Sequence, residues 1–188
     1  MTDVTTIVRD RDRVAALRRL VLLDTPPSPA FDRITEMAAR VLRAPVALLT
    51  LVDVDRQWFK SSHGLAALAE PIATAGETPL SYSICQYAVA AGRPLIVHDA
   101  REDPQLCDHP TVRRLGVRSY AGVPLFSPDR YAVGTLCVLD VRLRRWSRDN
   151  VVNLADLAAV TMNEIALHVK TRRELHRHVW RGVPPGSQ

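Results

Sequence analysis

The stretch over residues 119–140, SYAGVPLFSPDRYAVGTLCVLD, constrains this chain more than any other. Two runs of small, β-branched and aromatic residues, 120–126 and 131–139, flank Ser127-Pro128-Asp129-Arg130, where proline second and aspartate third suit a type I turn. The pattern predicts a β-hairpin. Alternation puts Ser119, Ala121, Val123 and Leu125 on one face of the first strand and Tyr120, Gly122, Pro124 and Phe126 on the other. In the second strand Tyr131, Val133, Thr135, Cys137 and Leu139 oppose Ala132, Gly134, Leu136 and Val138. Neither face is polar, so both must be covered. Such a hairpin belongs in the middle of a sheet with helices against one face. What covers the other face is the functional question.

The remaining chain supplies candidate layers. Residues 1–8 read as a disordered N-terminus. Val14, Leu17, Leu20 and Val21 recur at helical spacing over residues 9–23, and the prolines of Asp24-Thr25-Pro26-Pro27-Ser28 stop that helix. Ser28 and Pro29 then suit the N-cap and first position of a second helix reaching about Arg43, with Phe31, Ile34, Met37 or Ala38, and Val41 facing the core. Residues 46–52 form an apolar strand, Asp53-Val54-Asp55 a turn, and residues 56–62 a more polar strand expected at the sheet edge. Residues 63–78, with Gly64, Pro71 and Gly76, read as a loop holding at most a helical turn.

Residues 79–91 predict a short helix ended by Gly92, and 95–98 a short strand. In the polar segment 99–117, Pro104 and Pro110 can each open a short helix. Ser147 caps a last helix, and residues 148 to about 180 hold no glycine or proline, enough for roughly 45 to 50 Å. Its stripe of Leu154, Leu157, Thr161, Ile165, His168, Arg172, Leu175 and Val179 is apolar early and polar late. That fits either a frayed amphipathic helix or one pairing with its copy, helped by residues 9–23. Residues 183–188 read as a flexible tail.

Composition excludes more than it selects. The polar start MTDVTTIVRD lacks the apolar core of a signal peptide, and no apolar run approaches the roughly 18 residues of a membrane span; the expectation is a cytoplasmic protein with no membrane partner. Net charge is +5, but no nucleic-acid-binding motif accompanies it, so no nucleic-acid partner is expected. Three cysteines, Cys85, Cys107 and Cys137, are too few and too spread for a disulfide framework or a paired zinc site.

Several stretches occur together and in one order: LVLLDTPP from Leu20, LVDVDRQWFK from Leu51, TPLSYSIC from Thr78, IVHDAREDP from Ile96, YAGVPL from Tyr120 and GTLCVLD from Gly134. Together they resemble the GAF domain family, in particular bacterial GAF domains of signalling proteins. The resemblance implies an α+β, PAS-like fold over residues 9–170, with 171–188 as a helical extension and tail. A central antiparallel sheet would carry the terminal helices on one face and, on the other, a loop and short-helix region closing over a small-molecule pocket. It also implies a homodimer through the terminal helices and coupling to a downstream signalling protein.

On this basis the expected function is a regulatory sensor that binds a small molecule or senses redox state. The expected ligand-binding residues are Trp58, Tyr82, Cys85, Tyr87, Cys107, Ser119, Tyr120, Thr135 and Cys137. An enzymatic alternative rests on Cys85 and Cys107, which resemble in place two cysteines of the free methionine-(R)-sulfoxide reductases. In that chemistry a thiolate is oxidised to a sulfenic acid and resolved by a second thiol. The carboxylates those enzymes place near the central hairpin are missing, with Ser119 or Tyr120 and Cys137 in their positions. A third alternative is an interaction scaffold with a collapsed pocket. His63, His98 and His109 form no ligand-spaced set, so neither metal nor cofactor is expected.

Overall fold

The computed structural model describes residues 3–181. Six strands form one antiparallel sheet: β1 (Val46–Val52), β2 (Arg56–His63), β3 (Glu77–Pro79), β4 (Leu95–Val97), β5 (Ser119–Phe126) and β6 (Ala132–Asp140). The order β3-β2-β1-β6-β5-β4 places the predicted hairpin β5–β6 inside the sheet. Every residue of β1 and β6 is buried, and all of β5 except Phe126. Strand β2 is not the edge expected of it. The three residues of β3 pair with it from Arg56↔Pro79 to Trp58↔Glu77, a strand too short to leave an alternating signature.

One face carries α2 (Arg11–Arg19), α3 (Pro29–Leu42) and the long α7 (Arg148–Arg181) over a core that includes Leu17, Phe31, Leu49, Leu136 and Leu154. Helix α3 begins as predicted, with Ser28 at the N-cap and Pro29 at its first position, and ends at Arg43 in the left-handed region, φ 50°. Its buried stripe is Phe31, Ile34, Thr35, Ala38, Ala39 and Leu42; Met37 and Val41 turn outward. In α7, Leu154, Ala158, Thr161 and Ile165 are buried, each at most 4% exposed, while Val152, Val160 and Leu167 lie about half exposed on another side. The expectations for Leu175, Val179 and the tail at 183–188 lie outside the described side chains.

The other face carries α1 (Val4–Val8), α4 (Leu65–Ala75), a 3-10 turn (Leu80–Tyr82), α5 (Cys85–Ala91) and α6 (Pro110–Arg113). The disorder predicted for residues 1–8 is corrected over residues 4–8, which form α1 with Val8 fully buried among Val89, Val97 and Leu139; residues 1 and 2 lie outside the described residues. Asp10 accepts a hydrogen bond from Arg13 N at 2.8 Å, so a new helix starts within the segment expected to be one helix from residue 9. The predicted loop at 63–78 is also largely helical. Gly64 and Gly76 take left-handed conformations at its two ends, and α4 breaks at Ala69, φ −155° and ψ 78°, just ahead of Pro71.

Two bulges change which residues face which side. Leu125 pairs with Gly134 and Phe126 with Ala132, so Val133 is an extra residue. It joins Leu136 and Val138 in the helix-side core instead of the face of Thr135 and Cys137 predicted by strict alternation. In β2, Ser61 pairs with Leu49 and Phe59 with Thr50, leaving Lys60 extra. Its ammonium turns under the helices, donating to Thr25 Oγ1 at 2.7 Å and Pro26 O at 2.6 Å. Among the described residues no helix is long and apolar enough to cross a membrane.

His168, on α7, packs its ring 6.3 Å from that of Phe31. Burial, reinforced by the nearby charges of Lys60 and Arg172, holds its pKa below the usual histidine range. The unfolded chain therefore takes up this proton more readily than the folded one, and stability falls as pH drops through about 6.5. Urea melts at about pH 7 and pH 5.5 should show His168→Asn losing less stability over that step than the wild type.

Candidate functional site

The face of the sheet under α4 and α5 presents Leu48, Gln57, Phe59, Tyr120 and Leu139 to a cavity of about 40 Å³. Leu65, Leu68 and Ile72 of α4 roof it, and Tyr82, Ile84, Cys85, Thr111, Leu115 and Val117 close the sides. That volume holds no more than one or a few water-sized molecules. Thr78 lines it, and its hydroxyl is buried with no hydrogen-bond partner among the described residues, at a cost of about 1–3 kcal/mol.

A polar knot fixes the start of α5. Ser83 Oγ donates to Gln57 Oε1 at 2.5 Å and accepts from Gln86 N at 3.1 Å. Gln86 Nε2 then donates to Leu80 O at 3.0 Å and Ser83 O at 2.9 Å. With Ser83 held this way, Cys85 is the first residue of α5, and its sulfur points at β6. Cys85 Sγ lies 3.7 Å from Cys137 Sγ, and Tyr120 Oη donates to Cys85 Sγ at 3.3 Å. Beside them the hydroxyls of Thr50 and Thr135 bond across β1 and β6 at 3.0 Å.

Gly122 makes this cluster possible. It pairs with Cys137 across β5 and β6, and a Cβ built on it would overlap the hydroxyl and ring of Tyr120. The tyrosine ring therefore lies along its own strand over the glycine, which aims its hydroxyl at the two sulfurs. Burial raises the Cys85 thiol pKa, but bonding from Cys137, Thr135, Thr50 and Tyr120 outweighs it and brings the group down to about 6. The bond with Cys85 and burial push Cys137 well above its ordinary range, and burial does the same for Tyr120. Ionisation is thus favoured at Cys85 over Cys137 and Tyr120.

Of the residues expected at the pocket, Tyr82, Cys85 and Tyr120 are on its wall, and Thr135 and Cys137 sit directly behind Cys85. Four are elsewhere. Trp58 alternates with Gln57 and Phe59, so it falls on the helix side, with the Arg56 guanidinium 5.4 Å over its ring. Ser119 shares the face of Ala121 and donates to Arg142 O at 2.9 Å. Tyr87 leaves the cavity on the far side of α5 and meets His109 edge-on at 5.9 Å. Cys107 is half-buried before α6, off the cavity wall.

Sequence reasoning missed Gln57, Thr78, Thr111, Leu68 and Ile72. The alternation of Gln57 with Phe59 could have found the first; the others depend on how α4 and the loops fold over. Among the described residues no cluster of three or more histidine, cysteine or acidic side chains could hold a metal. His98 Nδ1 accepts from Trp146 N at 3.1 Å and His109 caps α6.

The sequence profile of the GAF domain matches residues 26–165. A cyclic di-GMP phosphodiesterase of Pseudomonas aeruginosa is 33% identical over 132 residues, covering 70% of this chain but only 21% of that protein. Among solved structures, the GAF domain of an Acinetobacter phosphoenolpyruvate-protein phosphotransferase superposes with a TM-score of 0.58 at 19% identity, covering 93% of this chain and 99% of that one. A free methionine-R-sulfoxide reductase of Neisseria meningitidis, solved with its substrate, gives 0.60 at 20% identity, over 91% and 95% of the two chains. At such identities these structures speak for the fold alone. The profile match across most of the chain, on a six-stranded antiparallel sheet clothed by helices, makes this protein a member of the GAF domain family.

Proposed function

We propose that this GAF domain is a regulatory sensor. A small molecule enters between the sheet and α4, shifts the roof, and the terminal helices pass the change to a second copy and an output protein. The observation that carries this reading is the cavity itself: partly open to the outside, lined by Thr78, whose buried hydroxyl has no partner among the described residues, and roofed by a helix broken at Ala69. In α4 only Leu65 is buried, so few contacts resist its displacement. Likeness to part of a cyclic di-GMP phosphodiesterase supports a signalling context, with an enzyme of that kind as one candidate output. Exposed Val152, Val160 and Leu167, spaced about two helical turns apart along α7, support pairing with a copy of the same helix.

The reductase alternative has less behind it. It needs a resolving thiol beside Cys85, and the thiol in contact is Cys137, not Cys107. Incubation with free methionine-R-sulfoxide and dithiothreitol is expected to give no turnover. Sustained turnover that is lost in Cys107→Ser would replace the sensor reading.

Two further outcomes are expected. In a thermal-shift screen of small metabolites, a true ligand at a hundred times its Kd adds about 2.7 kcal/mol of stability, roughly 5–10 °C for a chain of this size. Ile72→Trp, which fills the cavity, should abolish that shift while the variant still melts cooperatively. By light scattering, the wild type is expected to be a dimer, and Val160→Glu combined with Leu167→Glu a monomer.

A further inference from the structure

Two buried cysteines in a GAF domain could be nothing more than small hydrophobes, and their surroundings argue otherwise. An apolar packing role calls for apolar neighbours. Here the Tyr120 hydroxyl donates to the Cys85 sulfur at 3.3 Å, and both sulfurs share their side of the sheet with the bonded Thr50 and Thr135 hydroxyls. Gly122 is needed where the Tyr120 ring lies against the strand. Cys85 also forms part of the cavity wall, whereas Cys137 stands behind it, 3.7 Å away. Cys85 thus borders the cavity and Cys137 does not. That is the arrangement of an attacking and a resolving thiol.

Cavity size selects the reagent. About 40 Å³ admits a molecule the size of one or a few waters, and the wall beside Cys85 is mostly apolar. Hydrogen peroxide is of that size. We propose that Cys85 and Cys137 form a redox site in which hydrogen peroxide, entering the cavity, oxidises Cys85 and Cys137 closes a disulfide with it.

The steps balance. The Cys85 thiolate attacks one peroxide oxygen; the S–O bond forms, the O–O bond breaks, and hydroxide leaves, taking the proton the thiol gave up. Cys137 then attacks the Cys85 sulfenic sulfur, the S–S bond forms, the S–O bond breaks, and the departing hydroxide takes the Cys137 proton. Two thiols and one peroxide give one disulfide and two waters. A depressed Cys85 pKa, near 6, keeps the attacking form populated at neutral pH. A disulfide is about 2.05 Å long, so closing the 3.7 Å gap draws the sulfurs together by about 1.7 Å. Cys137 lies in the middle of a fully buried strand, so α5 does the moving. As a signal this rests on the sensor reading above; the sulfur chemistry stands without it.

The test treats the 188-residue chain with hydrogen peroxide and reads intact mass, peptide linkage and amide hydrogen exchange. Expected are a loss of about 2 Da, a peptide joining residues 85 and 137, and changed exchange across α4 and α5. Cys137→Ser should stop at a sulfenic acid trapped by dimedone, Cys85→Ser should not react, and Cys107→Ser should behave as wild type. The oxidation rate should be half-maximal near pH 6 and fall at least about tenfold in Tyr120→Phe, which keeps the ring packing. Should Cys137→Ser fail to fold, Cys137→Ala serves the same purpose. No disulfide at any peroxide level, or one joining Cys85 to Cys107, overturns the proposal. A disulfide between Cys85 and Cys137 with unchanged exchange over α4 and α5 keeps the site and removes the sensor reading it would serve.

Discussion

Burial of β6 on both faces is the constraint from which the rest of this fold follows. Nine consecutive residues without an exposed side chain cannot lie at an edge, so β1 and β5 must flank the strand, and two independent layers must cover it. The helix layer does so with large aliphatic side chains such as Leu17, Leu49, Leu136 and Leu154. At about 25 cal/mol per Å² of apolar surface removed from water, burial there drives folding. The opposite side mixes Leu48, Tyr120 and Leu139 with the smaller or more polar Thr50, Gly122, Thr135 and Cys137. Short elements suffice there, and their imperfect fit leaves the cavity.

The difference between the faces also sets where the molecule can move. Helix α7 is anchored by Leu154, Ala158, Thr161 and Ile165 over several turns. Helix α4 buries only Leu65 and breaks in its middle. Helix α5 lies between these extremes, tied through Ser83 and Gln86 at its start yet touching the sheet through the soft contact of two sulfurs. Local opening free energies track this density of buried contacts, so the cavity has a yielding roof on a rigid floor.

How far this was legible in the sequence depended on period and length. The hairpin, β1, α3 and α7 each carry enough residues for alternation or helical spacing to show, and the hairpin's place inside the sheet followed from the absence of polar residues on either face. Helix α1, with five residues, and β3, with three, are too short for any period. Alanines, Gly64, Pro71 and Gly76 disguised α4, because that composition suits a loop equally well. Side assignments failed where a bulge intervened, as at Val133, or where parity was not applied, as with Ser119 and Trp58. The pairing of Cys85 with Cys137 could not be read at all. It depends on α5 docking over β6, and nothing in a separation of 52 residues reports that distance.

Where the two faces meet, Arg13 joins them. It is 3% exposed, donates from Nε to Val8 O at 2.7 Å and reaches Ala132 O at 3.4 Å with Nη1. Burial works against its charge, but a guanidinium does not give up its proton, and Asp53 and Asp10 lie near enough to favour it. The end of α1 is thereby pinned to the bulge of β6 and to the first turn of α2. Helix α1 packs with Tyr87 and Ala90 of α5 on the cavity side, while α2 shares a groove with Met162, Ile165 and Val169 of α7 on the other. A displacement of α5 toward the sheet would meet α1 at Tyr87 and Ala90, and Arg13 ties the end of α1 to α2. Helix α2 in turn shares the helix-side core with Leu154 and Ile165 of α7, so the two faces are joined through buried contacts, and two discrete positions of α5 are what would be needed to use them.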